Sequence, residues 1–228
     1  MTPKPESTEA TPLVIAIDGP SASGKSTLAR RLAQTLHFAY VDTGAMYRTL
    51  AWWCCGHGVD VTIQSRVLAQ LRRWKTRLVH VDGQVRLLVH GYHPEKEIRT
   101  PKVTDAASKI AVHPAVRRWM VARQRDCLAF GPLVMEGRDI GTKVVPETEF
   151  KLFIDATPAA RQARRAGQGG DGNLAERDRR DSQRRGDPLI PALGAWRIDN
   201  SGETPEATLA RILERWGPLL SAAGKAAP

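Results

Sequence analysis

A glycine-rich segment near the start of the chain has the residue types and spacing that bind a polyphosphate. It reads Gly19-Pro20-Ser21-Ala22-Ser23-Gly24-Lys25-Ser26 and is followed by Thr27. The segment fits the pattern G-x-x-x-x-G-K-[ST], in which glycines let successive backbone N–H groups point at one anion. Lys25 can bridge the outer phosphates of a nucleotide, and the hydroxyl group of Ser26 can bind Mg²⁺. We therefore predict a nucleotide-phosphate site over residues 19–27, with Ser26 as its metal ligand.

The residues on either side of this segment predict the elements that such a loop requires. Residues 13–17 form a short apolar run, which is typical of a buried strand. After the loop, apolar residues recur at helical spacing, at Leu28, Ala29, Leu32, Ala33 and Leu36. A strand, a loop and a helix in this order bring the phosphates to the positive N-terminal end of the helix.

Further short strands, with helices between them, are predicted along the rest of the chain. They cover residues 38–41, 133–135, 150–154 and 195–198. Five buried strands that alternate with helices predict a three-layer α/β fold with a five-stranded parallel sheet. Ligands bind such sheets at the carboxyl ends of the strands. We therefore expect residues 19–27 to meet the segments that follow residues 41 and 135 in one crevice.

Two segments interrupt this alternation. Alternating valines and leucines on both sides of Asp82-Gly83 predict a β-hairpin, so residues 61–100 are predicted to be an inserted subdomain. Residues 166–186 are predicted to be a short lid that contains Gly167, Gly169, Gly170 and Gly172. The main domain is expected to span residues 13–220, between a disordered leader (1–12) and a loose tail (221–228).

Composition and charge limit the functional classes. The chain has 228 residues and a net charge of +10, and 25 of its 34 basic residues are arginine. This excess fits a nucleic-acid-binding protein, a site for phosphates, or the base composition of a genome. No apolar run approaches the roughly 20 residues of a membrane span, and the polar N-terminal segment contains no apolar signal core. We therefore expect a cytoplasmic protein without membrane association.

Arginines and aspartates are placed where the predicted strands end. Arg48 lies one helical turn beyond Gly44, and Arg138 and Asp139 directly follow the strand at 133–135. Three more charged residues share one face of a predicted helix, namely Arg177, Asp181 and Arg184. Any one of them could be a solvated surface charge. Together they form the kind of cationic cluster that lets two phosphate-bearing reactants approach and stabilises charge in the transition state.

The chain resembles the bacterial cytidylate (CMP/dCMP) kinases, in the nucleoside-monophosphate kinase branch of the P-loop proteins. The resemblance extends in order over about residues 13–220. The segments that carry it are Ile17-Asp18-Gly19-Pro20-Ser21 with Gly24-Lys25-Ser26-Thr27, then Asp42-Thr43-Gly44-Ala45-Met46-Tyr47-Arg48, Glu97-Ile98-Arg99-Thr100 with Ala106-Ala107-Ser108, Gly137-Arg138-Asp139-Ile140-Gly141-Thr142, and finally Arg177-Asp178, Asp181, Arg184 and Pro188-Leu189. The lid is shorter and richer in glycine than the family pattern.

The resemblance implies a P-loop kinase fold with a monophosphate-binding insert and a short lid. It implies transfer of the γ-phosphoryl group of ATP to CMP or dCMP, with Mg²⁺ as cofactor and residues 19–27 around the ATP phosphates. The catalytic residues that it implies are Lys25, Arg138, Arg177 and Arg184. The substrate-binding residues that it implies are Thr43, Arg48, Ser108, Arg117, Arg138, Asp139 and Asp181.

Three other functions remain open at this point. The chain could be a P-loop kinase for another nucleoside monophosphate or for a non-nucleotide acceptor. It could be a nucleic-acid-binding P-loop protein, although no recognisable nucleic-acid module is present. It could also be a nucleotide-dependent switch. We expect ATP and CMP or dCMP as its partners, no nucleic acid, and a monomer.

Overall fold

The computed structural model describes residues 12–167, 174–184 and 187–225 of the chain. Its strands are β1 (Val14–Asp18), β2 (Ala39–Asp42), β3 (Thr76–Val81), β4 (Gln84–Val89), β5 (Leu133–Gly137), β6 (Phe150–Asp155) and β7 (Trp196–Asp199). Its helices are α1 (Lys25–Leu36), α2 (Thr43–Gly56), α3 (Gln64–Leu71), α4 (Pro101–Ile110), α5 (Pro114–Arg125), α6 (Pro158–Gly167), α7 (Leu174–Ser182) and α8 (Pro205–Lys225). A π-helical turn, Ile140–Val144, follows β5.

The seven strands of the described residues form one sheet in the order β3-β4-β2-β5-β1-β6-β7. The five strands expected from the sequence are β2, β5, β1, β6 and β7, which are neighbours in this order and pair in parallel. The prediction of a five-stranded sheet was wrong because the hairpin joins the same sheet. Strand β4 lies parallel to β2, where Tyr40 faces Gln84, and β3 pairs antiparallel with β4.

The hairpin joins the sheet because one of its faces is apolar and must be covered. Val85, Leu87 and Val89 alternate along β4 and are buried, whereas the residues between them are only partly buried. Leu87 and Val89 pack in the same cluster as Met46 and Leu50 of α2. A hairpin that contains such a strand is more stable as part of a covered sheet than as an independent two-stranded ribbon.

Helices cover both faces of the central strands. Ile15 and Ile17 of β1 face a cluster that includes α1 and α8, in which Trp216 packs edge-on against Phe150. Val14 and Ala16 face the opposite cluster, which includes the π-helical turn after β5. A strand that is buried on both faces is what the continuous apolar run at 13–17 predicts.

The structure describes only parts of the chain ends and of the predicted lid. Residues 1–11 of the predicted leader lie outside the described residues, as do Gly169, Gly170 and Gly172 of the predicted lid. Helix α8 continues to Lys225, so residues 221–225 are helical where a loose tail was predicted. The described helices include none with the length and apolarity that crossing a membrane requires.

The space around Gly137 shows how closely β5 approaches α2, the helix that follows β2. A Cβ atom at this position would lie 2.6 Å from Oγ1 of Thr43 and 2.7 Å from Cδ1 of Ile140. We expect Gly137→Ala to lower the free energy of unfolding by about 1–3 kcal/mol, since it overpacks a closed site. Denaturant unfolding measures this value. Gly217→Ala is the matched control, because a Cβ there meets nothing within 4 Å and lies in a helix. Equal stability of the two variants would contradict the close approach.

Candidate active site

The glycine-rich loop joins β1 to α1 and leaves the first N–H groups of α1 free of side-chain caps. Gly24 is the N-cap residue of α1 and makes no side-chain hydrogen bond. Gly19 has φ 153°, and a Cβ there would lie 2.1 Å from the carbonyl oxygen of Ile154 on β6. Only glycine fits this approach of loop and strand. Uncapped N–H groups at the start of a helix can donate to an anion.

Lys25 is buried at the base of this loop. Its side chain is 5% exposed, and Nζ donates a hydrogen bond to the carbonyl oxygen of Pro20 at 2.9 Å. Burial, and then the positive charge of Arg138, lower the pKa of Lys25 to about 7, whereas the carboxylates of Glu136 and Asp181 oppose this shift. A bound polyphosphate supplies the negative charge that restores the protonated form.

Two side chains from distant parts of the chain hold the loop in place. Nη1 of Arg164 and Nδ2 of Asn200 both donate to the carbonyl oxygen of Ser23, at 3.1 and 3.0 Å. Arg164 also donates to the backbone oxygen of Asn200 at 2.7 Å, which joins α6 to the segment after β7. Sequence reasoning did not identify this brace, because nothing near either residue marks its long-range partner.

A second group of charges lies where β2 ends. Oδ1 of Asp42 accepts the N–H of Ala45 at 2.8 Å and so caps α2. Its other oxygen pairs with Arg48 at 2.8 Å and with Arg99 at 3.5 Å. Although burial raises it, the charges of these two arginines hold the pKa of Asp42 below its usual value. Thr43 donates to the carbonyl oxygen of Glu136 at 2.7 Å, which ties α2 to β5.

Helix α7, which lies in the predicted lid, is joined to the end of β5 by one shared aspartate. Nε of Arg138 donates to Oδ2 of Asp181 at 2.7 Å, and Arg184 pairs with the other oxygen of the same carboxylate. Arg177 has no ion pair within the described parts of the chain. Burial and the charge of Arg138 lower the pKa of Arg177 to about 10. Among Arg138, Arg177 and Arg184, Arg177 is therefore the residue whose charged form a nearby anion would stabilise most.

A third group lies on the side of the inserted subdomain. Arg117 is 3% exposed and pairs with Asp139 and with Asp187, the latter through Nε at 2.8 Å. Its third nitrogen, Nη1, donates to the carbonyl oxygen of Ala111 at 3.3 Å. Oγ of Ser108 is buried and has no hydrogen-bond partner among the described residues. A ligand atom in the adjacent cavity can satisfy this hydroxyl group.

These groups surround one cavity of about 250 Å³. The predicted site residues that line it are Ser21, Ala22, Gly24, Lys25, Ser26, Thr27, Thr43, Arg48, Ser108, Arg138, Asp139, Arg177, Asp181 and Arg184. Gly19, Pro20, Ser23 and Arg117 do not line it. Gly19 and Pro20 shape the backbone of the loop, the carbonyl oxygen of Ser23 accepts from Arg164 and Asn200, and Arg117 lies behind Asp139.

The cavity also contains charged residues to which sequence reasoning gave no binding role. Among the described residues, Arg99, Arg165 and Asp42 line it as well. Arg99 lies in one of the segments that resemble the cytidylate kinases, so that resemblance could have identified it. Nε of Arg165 is buried and has no hydrogen-bond partner in the described part of the chain. No local pattern marks it, because α6 carries several arginines of similar spacing.

Most of the chain matches one known protein family. The family model described as "Cytidylate kinase" matches residues 15–217. The chain belongs to the cytidylate kinase family. A cytidylate kinase of Geobacillus kaustophilus (strain HTA426) is 42% identical over 212 residues, which cover 88% of this chain and 94% of the relative. A cytidylate kinase of Solibacter usitatus (strain Ellin6076) is 41% identical over 220 residues, covering 89% and 93%.

The lowered pKa of Lys25 predicts proton uptake when a nucleotide binds. With a pKa of about 7 in the empty site, the lysine is largely neutral at pH 8 and takes up a proton when phosphate charges raise its pKa. At pH 6 it is already protonated, so the uptake should be small. Calorimetric titration with ATP in buffers of different ionisation enthalpy measures the uptake.

Lys25→Arg is the matched control for this titration, because arginine keeps its charge at both pH values. We expect this variant to take up almost no proton at pH 8. Equal uptake by the wild type and Lys25→Arg at pH 8 would assign the proton to another group.

Proposed function

We propose that this protein is a phosphotransferase that moves the γ-phosphoryl group of ATP to CMP or dCMP, giving ADP and CDP or dCDP. The observation that supports this most directly is the single cavity in which the glycine-rich loop with Lys25 faces Arg48 and Arg138. Membership of the cytidylate kinase family gives the acceptor class. Two nucleotides that enter this cavity from opposite sides would bring their phosphates together among these cations.

The donor side of the cavity fits the phosphates of ATP. The uncapped N–H groups of α1 and the buried Lys25 surround the expected positions of the outer phosphates. The residues present also fit Mg²⁺, since Ser26 and the buried carboxylate of Glu136 line the same cavity. Magnesium sites of this kind use one or two protein ligands together with phosphate oxygens. When bound, the ion neutralises phosphate charge, and Ser26 and Glu136 would hold it.

The acceptor side fits a pyrimidine monophosphate with an exocyclic amine. Thr43, Arg48 and Arg138 would bind its phosphate, and Asp181 would lie near the pentose. The Asp139 carboxylate and the unpartnered Ser108 hydroxyl can accept the N–H groups of a cytosine amine. Uracil has an oxygen there, which cannot donate to the Asp139 carboxylate and would leave that acceptor unsatisfied. Arg117 would act by orienting Asp139, to which its Nη2 donates. Its other two nitrogens already donate to Asp187 and to the carbonyl oxygen of Ala111.

The chemistry requires alignment and charge neutralisation rather than a strong base. A dianionic monophosphate is already a nucleophile, so its oxygen can attack the γ-phosphorus of ATP while ADP leaves. Arg138, Arg177 and Arg184 would stabilise the charge that spreads over the transferred group. Closure of the lid would exclude water, which otherwise competes with the acceptor.

No specific observation favours the other functions. The nucleic-acid hypothesis rested on net charge, and the cleft arginines Arg138, Arg177 and Arg184 are largely enclosed rather than displayed on a surface. The cytoplasmic location and the monomeric state stay predictions of the sequence.

A panel of acceptors tests the proposed function. With ATP and Mg²⁺, we expect CMP and dCMP to release ADP with a kcat/KM at least about tenfold above that of UMP, AMP or GMP, since a mismatched buried polar group costs about 1–3 kcal/mol. A coupled assay of ADP release measures these rates. A higher kcat/KM for another monophosphate, or for a non-nucleotide acid, would overturn the assignment of the acceptor.

Arg138→Ala separates the acceptor side from the donor side. Loss of its charge-assisted bonds should lower kcat/KM for CMP by about 10–100-fold and change the KM for ATP by no more than about threefold. Steady-state kinetics with each substrate varied in turn measures both. Arg72→Ala is the control, because Arg72 is exposed and does not line the cavity. A rise in the KM for ATP as large as the rise in the KM for CMP would argue against the acceptor role of Arg138.

A further inference from the structure

Asp18 is a buried carboxylate to which the proposed function gives no task. It is the last residue of β1, directly before the glycine-rich loop, and it is 2% exposed. It does not line the cavity. In the sheet it lies beside Gly137, the last residue of β5, after which Arg138 and Asp139 enter the acceptor side of the cavity.

Both oxygens of Asp18 are used by the segment that follows β5. Oδ1 accepts the backbone N–H of Ile140 and Oδ2 accepts that of Gly141, each at 2.8 Å. These two residues begin the π-helical turn, and Asp139 in the N-cap position supplies no side-chain cap. A carboxylate on a neighbouring strand therefore caps this turn.

The two bonds fix one end of a very short segment. Its other end, Gly137, is fixed by the pairing of β5 with β1. Arg138 and Asp139 lie between these two fixed ends. Their backbone directions, and so the positions of the guanidinium and carboxylate groups in the cavity, are set by the sheet on one side and by Asp18 on the other.

The two N–H donors require two acceptor atoms. A carboxylate supplies both, whereas an amide of the same shape supplies one oxygen and one NH₂ group, which would face a second donor. Burial raises the pKa of Asp18 to about 7, and the N–H groups of Gly141 and Ile140 oppose this shift. The neighbouring charge of Asp139 raises the pKa further and that of Arg138 lowers it.

We propose that Asp18 is a positioning residue for the acceptor nucleotide, holding Arg138 and Asp139 in the orientation that binds CMP. This inference rests on the proposed function. Asp18 acts through the backbone of Ile140 and Gly141 and does not touch either substrate. Although Asp18 precedes Gly19 in the chain, the side-chain bonds that the described residues give it lead to the acceptor side and none to residues 19–27.

Asp18→Asn tests the inference through a difference between the two substrates. We expect the KM for CMP to rise by about tenfold or more, while the KM for ATP stays within about twofold of the wild type. The preference for CMP over UMP should also fall, because Asp139 is less firmly held. A role in general stability would change both KM values alike or neither.

Asp155→Asn is the matched control. Asp155 ends the neighbouring strand β6, and its Oδ1 also accepts one backbone N–H, that of Ala156 at 2.8 Å. One amide oxygen suffices for this single bond, so the KM for CMP should stay unchanged. Thermal unfolding of all variants identifies any that is not folded at the assay temperature.

Asp18→Ala is the second variant, since it removes both acceptors without placing an NH₂ group against a donor. The inference predicts the same separation of the two KM values in whichever Asp18 variant is folded. An unchanged KM for CMP, an equal rise for ATP, or loss of the folded state in both variants would overturn it. Absence of CMP phosphorylation by the wild type would instead overturn the proposed function, which is measured first.

Discussion

The cleft encloses more positive charge than its own carboxylates neutralise. Seven basic side chains among the described residues line it, namely Lys25, Arg48, Arg99, Arg138, Arg165, Arg177 and Arg184, against the four acidic groups Asp42, Glu136, Asp139 and Asp181. Asp42 and Asp181 are each shared by two arginines. Burial together with like charge disfavours the protonated forms, which is why the pKa values of Lys25 and Arg177 are lowered. An anion of several charges would remove this penalty, which is the physical basis for proposing a polyphosphate ligand here.

The parallel sheet is what brings these charges into one place. The strands β1, β2 and β5 are neighbours, and each is followed directly by a segment of the site. Close packing at their carboxyl ends leaves room only for glycine at position 137. Asp18 then connects the strand that precedes the glycine-rich loop with the turn that follows Arg138 and Asp139. The glycine-rich loop and the segment with Arg138 and Asp139 are thus attached to the same strands, while α7 is joined to them through ion pairs such as that of Arg138 with Asp181.

The parts of the fold that sequence predicts best are those encoded by local patterns. The apolar run at 13–17, the glycine-rich loop and the hairpin turn at Asp82-Gly83 all correspond to elements of the structure. The attachment of the hairpin to β2 was missed because it depends on the pairing of Tyr40 with Gln84, which no local pattern shows. The same limit applies to the site. The cavity lining contains Arg48, Ser108 and Arg138 as expected, but the ion pair of Arg117 with Asp187 and the brace of Arg164 and Asn200 join residues far apart in sequence.

The central claim is that a donor and an acceptor phosphate occupy this one cleft at the same time. A bisubstrate analogue, in which adenosine and cytidine are joined through their 5′ positions by a polyphosphate, tests it most directly. Its inhibition is measured by steady-state kinetics with ATP and CMP varied in turn. The account predicts that the analogue competes with both substrates and binds once per chain. An analogue that competes with ATP but leaves the KM for CMP unchanged would place the acceptor elsewhere and contradict the account.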